Sequence, residues 1–152
     1  MSDEFGDRMK MYEGVEASRK LIPLLPIVAR LDGRSFSTFT NGLHRPYDRR
    51  LSGLMKDCTV HLVEETNALI GYTQSDEISL IMFAPDFRSQ VWFDGKIQKM
   101  TSNLAAHASA FFNKHLAVSL PEKAHLMPTF DCRVWNVPNK EEAVNAILWR
   151  EQ

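Results

Sequence analysis

The chain has 152 residues, about one domain's worth, and a chain of this length buries roughly 70% of its unfolded surface, so it needs no disulfide scaffold. Hydrophobic residues make up 44% and charged residues 24%, with 7 Gly and 7 Pro, ordinary globular proportions that exclude a long disordered tail. A formal net charge of −1 excludes nucleic-acid binding through a general positive field and leaves only local basic patches for it.

Taken in order, Phe5 to Leu21 carries Phe5, Met9, Tyr12 and Glu16 at helical spacing, which predicts a short amphipathic helix packed on the outside of a sheet and stopped by Pro23. Leu25 to Asp32 is apolar and β-branched and ends at Gly33, a first strand with Asp32 at its C-terminal edge. Thr40 to Pro46 reads as a loop. From Tyr47 to about Thr66, Leu51, Leu54, Met55, Cys58 and Leu62 share one helical face. Ala68–Thr73 and Ile78–Phe83 form two strands of a hairpin around Gln74-Ser75-Asp76-Glu77. After a loop from Pro85 to Gly95, a helix runs from Lys96 to Leu116 with Ile97, Met100, Leu104, Ala108, Phe111 and His115 along its stripe. Thr129 to Trp135 alternates as a fourth strand, and Asn139 with Glu142 starts a last helix.

The order is a helix, then βαββαβ, then a helix. This predicts an α+β fold: a ferredoxin-like βαββαβ core, shared by polymerase palms and nucleotide cyclases, with an added N-terminal and C-terminal helix. The apolar stretch Leu21 to Ala29 is broken by Pro23 and Pro26 and is too short to span a bilayer. Met1 is followed by Ser2, Asp3 and Glu4, not by the charge and apolar run of a secretory signal, and Cys58 and Cys132 fit two small core residues in a reducing compartment. A cytoplasmic protein without a membrane partner is expected.

In that topology the first strand ends beside the hairpin, so Asp32 and Asp76 converge although 44 positions apart. With Glu77 and the carbonyl of Gly33 they offer hard oxygen ligands for Mg²⁺, and such a pair can hold two ions about 4 Å apart for in-line phosphoryl transfer. The same residues also read as an Asp-Gly turn and a solvated hairpin tip. Lys96, Lys99 and Ser102 at the start of a helix could dock a triphosphate, or be solvated first-turn residues. Arg45, Arg49 and Arg50 beside Asp48 form a second basic group. No Walker, Rossmann or zinc-ligand pattern is present, and none of the five His is assigned a role.

Gly6-Asp7-Arg8-Met9-Lys10, Leu31-Asp32-Gly33-Arg34-Ser35-Phe36, Arg45-Pro46-Tyr47-Asp48, Gly71-Tyr72-Thr73-Gln74-Ser75-Asp76-Glu77-Ile78-Ser79, Phe130-Asp131-Cys132-Arg133 and Trp149-Arg150-Glu151-Gln152 together resemble the histidine-tRNA guanylyltransferase family, especially its bacterial and archaeal guanylyltransferase-like branch. The resemblance implies a reverse polymerase that adds nucleotides to the 5′ end of tRNA in the 3′-to-5′ direction. ATP or GTP first activates the 5′-monophosphate; the 3′-hydroxyl of an incoming nucleotide then attacks it. Carried over by motif, Asp32 and Asp76 would bind both Mg²⁺ ions, Gly33 would lend its carbonyl and Glu77 would support the site. Arg45, Asp48, Lys96, Lys99 and Ser102 lie at or near the family's nucleotide-contact segments. Ser37 stands where eukaryotic members usually have His, which leans toward templated 5′-end repair. The sequence stops where family members continue with a further Asp and a portion that grips tRNA and builds the oligomer, so a single palm-like domain over 1–152 is expected, self-associating and weaker in tRNA binding. The rival readings are a nucleotide cyclase on the same palm and a nucleotide- or RNA-binding module without turnover.

Overall fold

The computed structural model describes residues 3–152; Met1 and Ser2, where the argument against an export signal began, lie outside it. Helix α1 spans Glu4–Ala17, strand β1 Ile27–Gly33, a one-turn helix α2 Phe36–Phe39 and helix α3 Arg49–Thr66. Strands β2 (Ile70–Gln74) and β3 (Glu77–Met82) are followed by helix α4 (Ile97–Ser119), strand β4 (Phe130–Asn136) and helix α5 (Lys140–Glu151). The strands form one four-stranded sheet in the order β2-β3-β1-β4, antiparallel throughout, which is the ferredoxin-like palm arrangement.

The period-2 alternation of β1 divides the sheet into two faces. Ile27, Ala29 and Leu31, with Ile78, Leu80 and Met82 of β3, pack under Leu54, Met55, Cys58 and Leu62 of α3 and Met100, Leu104, Ala108, Phe112 and Leu116 of α4. Burying a side chain of this size contributes about 2 kcal/mol, so this layer dominates stability. On the opposite face Val28 and Ile81 pack against Ala143 of α5. Asp32 follows Val28 and Arg30 at two-residue intervals and therefore belongs to the α5 face.

Gly71 lets α3 come close to β2: a Cβ there would lie 2.6 Å from Cγ2 of Val63 and 2.8 Å from Cγ2 of Thr59. Asp48 caps the start of α3, accepting from the Arg50 amide at 2.9 Å, and Asn139 caps α5, accepting from the Glu142 amide at 2.9 Å.

Two expectations are corrected. Helix α1 does not pack on the sheet: it buries no residue and leaves Phe5, Met11, Tyr12 and Val15 exposed. The segment after it is tied to the approach of α4 instead, Leu21 donating to the Gly95 carbonyl at 2.9 Å and Ile97 to the Arg19 carbonyl at 3.0 Å, which carries α1 off to the side. In α4 the buried stripe continues from Ala108 to Phe112 and Leu116, whereas Phe111 and His115 are only partly buried. His61 of α3 stacks on Phe111 at 4.5 Å between ring centroids, and Phe111 lies 4.2 Å from His115, outside the core.

Cys58 and Cys132 are unbridged, and burial pushes both thiols up to about 12, so they are protonated and inert at neutral pH. Among the described residues no helix is long and apolar enough to cross a membrane.

Candidate active site

The end of β1 is built around Gly33. A Cβ at this position would lie 2.4 Å from the Phe36 ring, so only glycine lets the chain leave the strand and drop Phe36 into the core. There Phe36 packs against Phe39, Phe112 and Phe130 at centroid distances of 5.0, 5.6 and 5.4 Å. The β2–β3 connection is a two-residue turn in which Ser75 takes a left-handed φ of 55°, leaving Asp76 at the tip. The Gly33 amide donates to the Asp76 carbonyl at 2.9 Å, fastening the tip to the end of β1. Asp32 and Asp76 are thereby brought together, with Glu77 directly opposite Asp32 in the β1–β3 register. Asp131 of β4 lies opposite Asp32 on the other flank.

Like charges paired across strands are unfavourable, and the carboxylates register this. Burial, and next the charge of Glu77, push Asp32 above its usual 3.8, although Arg30 and Arg133 pull the other way. Burial, with the charges of Asp32 and Glu77, also raises Asp76. Glu77 is lowered, chiefly by hydrogen bonds from Arg150 of α5, whose Nε donates to Oε2 at 2.8 Å and whose Nη2 donates to Oε1. Two carboxylates held above their ordinary range by burial, with neighbouring carboxylates adding to it, have the electrostatics of a cation site. Among the described residues no three His, Cys, Asp or Glu side chains form a closed cage. Asp32 and Asp76, with the neighbouring Gly33 carbonyl, could offer a cation hard oxygen donors with positions left for water and phosphate.

Asp76 and Ser75 also form one wall of a cleft of about 540 Å³. Ser37, His44, Arg45 and Tyr47 line it from the segment around α2, and Phe36 and Leu43 give it apolar surface. Asp48 closes this cleft with a carboxylate only 2% exposed. It accepts from Nε of Arg50 at 3.1 Å, from Nη2 of Arg50 at 3.0 Å and from the His44 amide at 3.4 Å, while Nη1 of Arg50 reaches Glu122 at 2.8 Å. Hydrogen bonds from Arg50 hold Asp48 far below the carboxylate range. Asp48 and Arg50 therefore fix the shape of the loop that carries His44 and Arg45.

Lys96, Lys99 and Ser102 are not brought to this place. β3 runs from Glu77, beside Asp32, to Met82, beside Ile27, and α4 begins beyond that end. Five residues of strand separate the two ends, about 17 Å at 3.4 Å per residue. Lys96, Lys99 and Ser102 line an open groove with Lys10, Glu13 and Ser18 of the α1 segment instead. Ser37, singled out in the sequence, lies in the cleft; the residues to which sequence reasoning gave no role are His44 and Tyr47 of the cleft, and Arg133 and Arg150 on the carboxylates. His44 and Tyr47 sit in non-repetitive backbone that no periodicity marks; the two arginines could have been found from their places within the FDCR and WREQ segments.

The sequence model of the tRNAHis guanylyltransferase family matches residues 6–138. The chain belongs to this family. An uncharacterized protein of Acanthamoeba polyphaga mimivirus is 30% identical over an alignment covering 99% of this chain and 58% of that protein. The tRNA(His) guanylyltransferase of Schizosaccharomyces pombe is 30% identical, covering 94% of this chain and 53% of its own length, so the chain spans about half the length of such relatives. A bacterial tRNA(His) guanylyltransferase-like protein solved with ATP has a TM-score of 0.89 at 35% identity, covering 97% of this chain and 64% of that one. The complex with GTP gives the same TM-score and identity over 70% of its chain. The tRNAHis guanylyltransferase fold thus extends over nearly the whole chain, with the cleft and the carboxylates inside the matched span.

Proposed function

We propose that this chain carries the nucleotidyl-transfer centre of a 3′-to-5′ tRNA polymerase, adding nucleotides to the 5′ end of tRNA after activation with ATP or GTP. The observation that carries the proposal is the hydrogen bond from the Gly33 amide to the Asp76 carbonyl, which sets two carboxylates from distant segments beside a nucleotide-sized cleft. The complexes of the bacterial relative with ATP and with GTP support a nucleoside triphosphate as ligand, and the cleft beside Asp76 is the place proposed for it.

In this reading Asp32, Asp76 and the Gly33 carbonyl hold two Mg²⁺ ions, for which a set of hard oxygens with open positions is suited. When bound, these ions supply charge stabilisation to the attacking and leaving oxygens of an in-line displacement. Activation joins the tRNA 5′-phosphate to a nucleoside monophosphate and releases pyrophosphate. The 3′-hydroxyl of the incoming nucleotide then attacks the 5′-phosphorus and releases that monophosphate. Arg45 neutralises triphosphate oxygens at the cleft wall, and Asp48 acts by holding the loop of Arg45 in place. Glu77, hydrogen-bonded to Arg150, supports Asp32 from the neighbouring strand. Lys96, Lys99 and Ser102, which line the groove beside α1 and not the cleft of Asp76, serve backbone phosphates of the tRNA and not the reacting triphosphate. Ser37 in the cleft favours templated repair, in which the opposing tRNA base selects the nucleotide.

The test is extension of a 5′-monophosphorylated tRNA lacking its first nucleotide, with ATP, Mg²⁺ and each labelled nucleoside triphosphate. Label should enter as the opposing base dictates, and Asp32→Asn or Asp76→Asn should reduce incorporation at least 100-fold, on the order of the loss of a metal's charge stabilisation. Wild-type rates in either variant, or cyclic nucleotide as the product, would contradict the proposal.

A further inference from the structure

Three guanidinium groups face the carboxylates, and they are held in different ways. Arg150 gives Glu77 two hydrogen bonds, and its side chain is 29% exposed. Two bonds in a half-buried setting make this a fixed pair. Arg30 lies between the Trp135 and Trp149 rings, 5.8 and 5.5 Å from their centroids. Its Nε sits 3.5 Å from Oδ2 of Asp32 and makes no hydrogen bond, so the indole faces hold it more than the carboxylate does.

Arg133 of β4 is different. Among the described residues its side chain makes one hydrogen bond, Nη1 to Oδ2 of Asp32 at 2.9 Å, and it is 57% exposed. It therefore has a single anchor and free space to leave it. A divalent cation on the same oxygen would place a second positive centre a few ångströms from the guanidinium, and their repulsion sets the two in competition for Oδ2.

We infer that Arg133 is an exchangeable counter-ion of Asp32, which competes with the divalent cation for the carboxylate and so sets how tightly the site holds that cation. Arg150 has the complementary part: it keeps Glu77 occupied, so the competition concerns Asp32 alone. The inference rests on the proposed role of Asp32 as a cation ligand. An exposed ion pair is worth little, which makes the exchange cheap and the regulation graded.

The experiment is calorimetric titration of the whole chain with Mn²⁺, without nucleotide or tRNA. Arg133→Gln should bind Mn²⁺ about three- to fivefold more tightly than the parent, the scale of one exposed ion pair. Arg133→Lys should fall between them. The gain should shrink as salt is raised, because salt screens the exposed Arg133–Asp32 pair; a purely structural role would not produce that convergence. Thermal unfolding should be nearly unchanged, since the side chain is mostly in solvent. In an Asp32→Asn background the Arg133 substitution should have no effect. Unchanged or weaker Mn²⁺ binding in Arg133→Gln, with Asp32→Asn still weakening it, would overturn this inference and leave the metal assignment standing. Undiminished binding in Asp32→Asn would overturn the metal assignment, and the inference with it.

Discussion

Asp48 shows how one buried carboxylate can fix the shape of a loop. Its oxygens are occupied by Arg50 and the His44 amide, and its acidity is raised accordingly, so its folded-state pKa lies below the usual 3.8. A depressed carboxylate contributes stability that is fully present above the unfolded-state value and is lost as pH falls through the folded-state value. Asp48→Asn should therefore melt lower than wild type near neutral pH, and the gap should narrow once pH drops below about 4. Calorimetric melting from neutral pH down to about 3 checks this; a gap constant over the range would contradict it. Asp32 and Asp76 have the opposite sign. Their raised values mean that the native state takes up protons before the unfolded chain does, and that their ionised forms cost stability at neutral pH. Asp76→Asn should therefore melt no lower than wild type while losing nucleotide addition, a pairing that separates charge kept for chemistry from charge kept for folding.

At the scale of elements, α3 and β2 are set by Gly71. Gly71→Ala drives a Cβ into Val63 and Thr59, which sit on a packed helix, and should cost about 1–3 kcal/mol by overpacking. Denaturant unfolding reads this directly, and an unchanged midpoint would mean that α3 is free to shift. The strands and long helices were legible because hydrophobic periodicity marks them, and the Asp32–Asp76 convergence followed once βαββαβ fixed which ends meet. Three features were not legible. The α2 turn is four residues long and is set by Phe36 and Phe39 entering a core that distant segments build. The outward course of α1 depends on backbone hydrogen bonds from residues 19–21 to the start of α4, which leave no pattern in side chains. The separation of Lys96 from Asp32 depends on the direction of β3: local spacing shows a basic helix start but not the end of the sheet on which it lies.

Across the molecule, the first and last helices each leave several apolar side chains uncovered. Phe5, Tyr12 and Val15 are each at least 60% exposed on α1, and Val144, Leu148 and Trp149 stand out from α5. Surfaces of this kind mark association sites, and homo-oligomer formation is expected of this chain. Sedimentation velocity should show concentration-dependent association that weakens in a Phe5→Glu, Tyr12→Glu double variant; a monomer at all concentrations would contradict it. The central claim is that the end of β1 and the β2–β3 tip together hold divalent cations at the mouth of the cleft. Anomalous diffraction from crystals soaked in Mn²⁺ with a nucleoside triphosphate tests it most directly. The account predicts anomalous peaks bounded by the carboxylates of Asp32 and Asp76 and the Gly33 carbonyl, with the triphosphate reaching toward Arg45. Triphosphate and metal found together in the groove of Lys96 and Lys99, with nothing at Asp32 and Asp76, would contradict it.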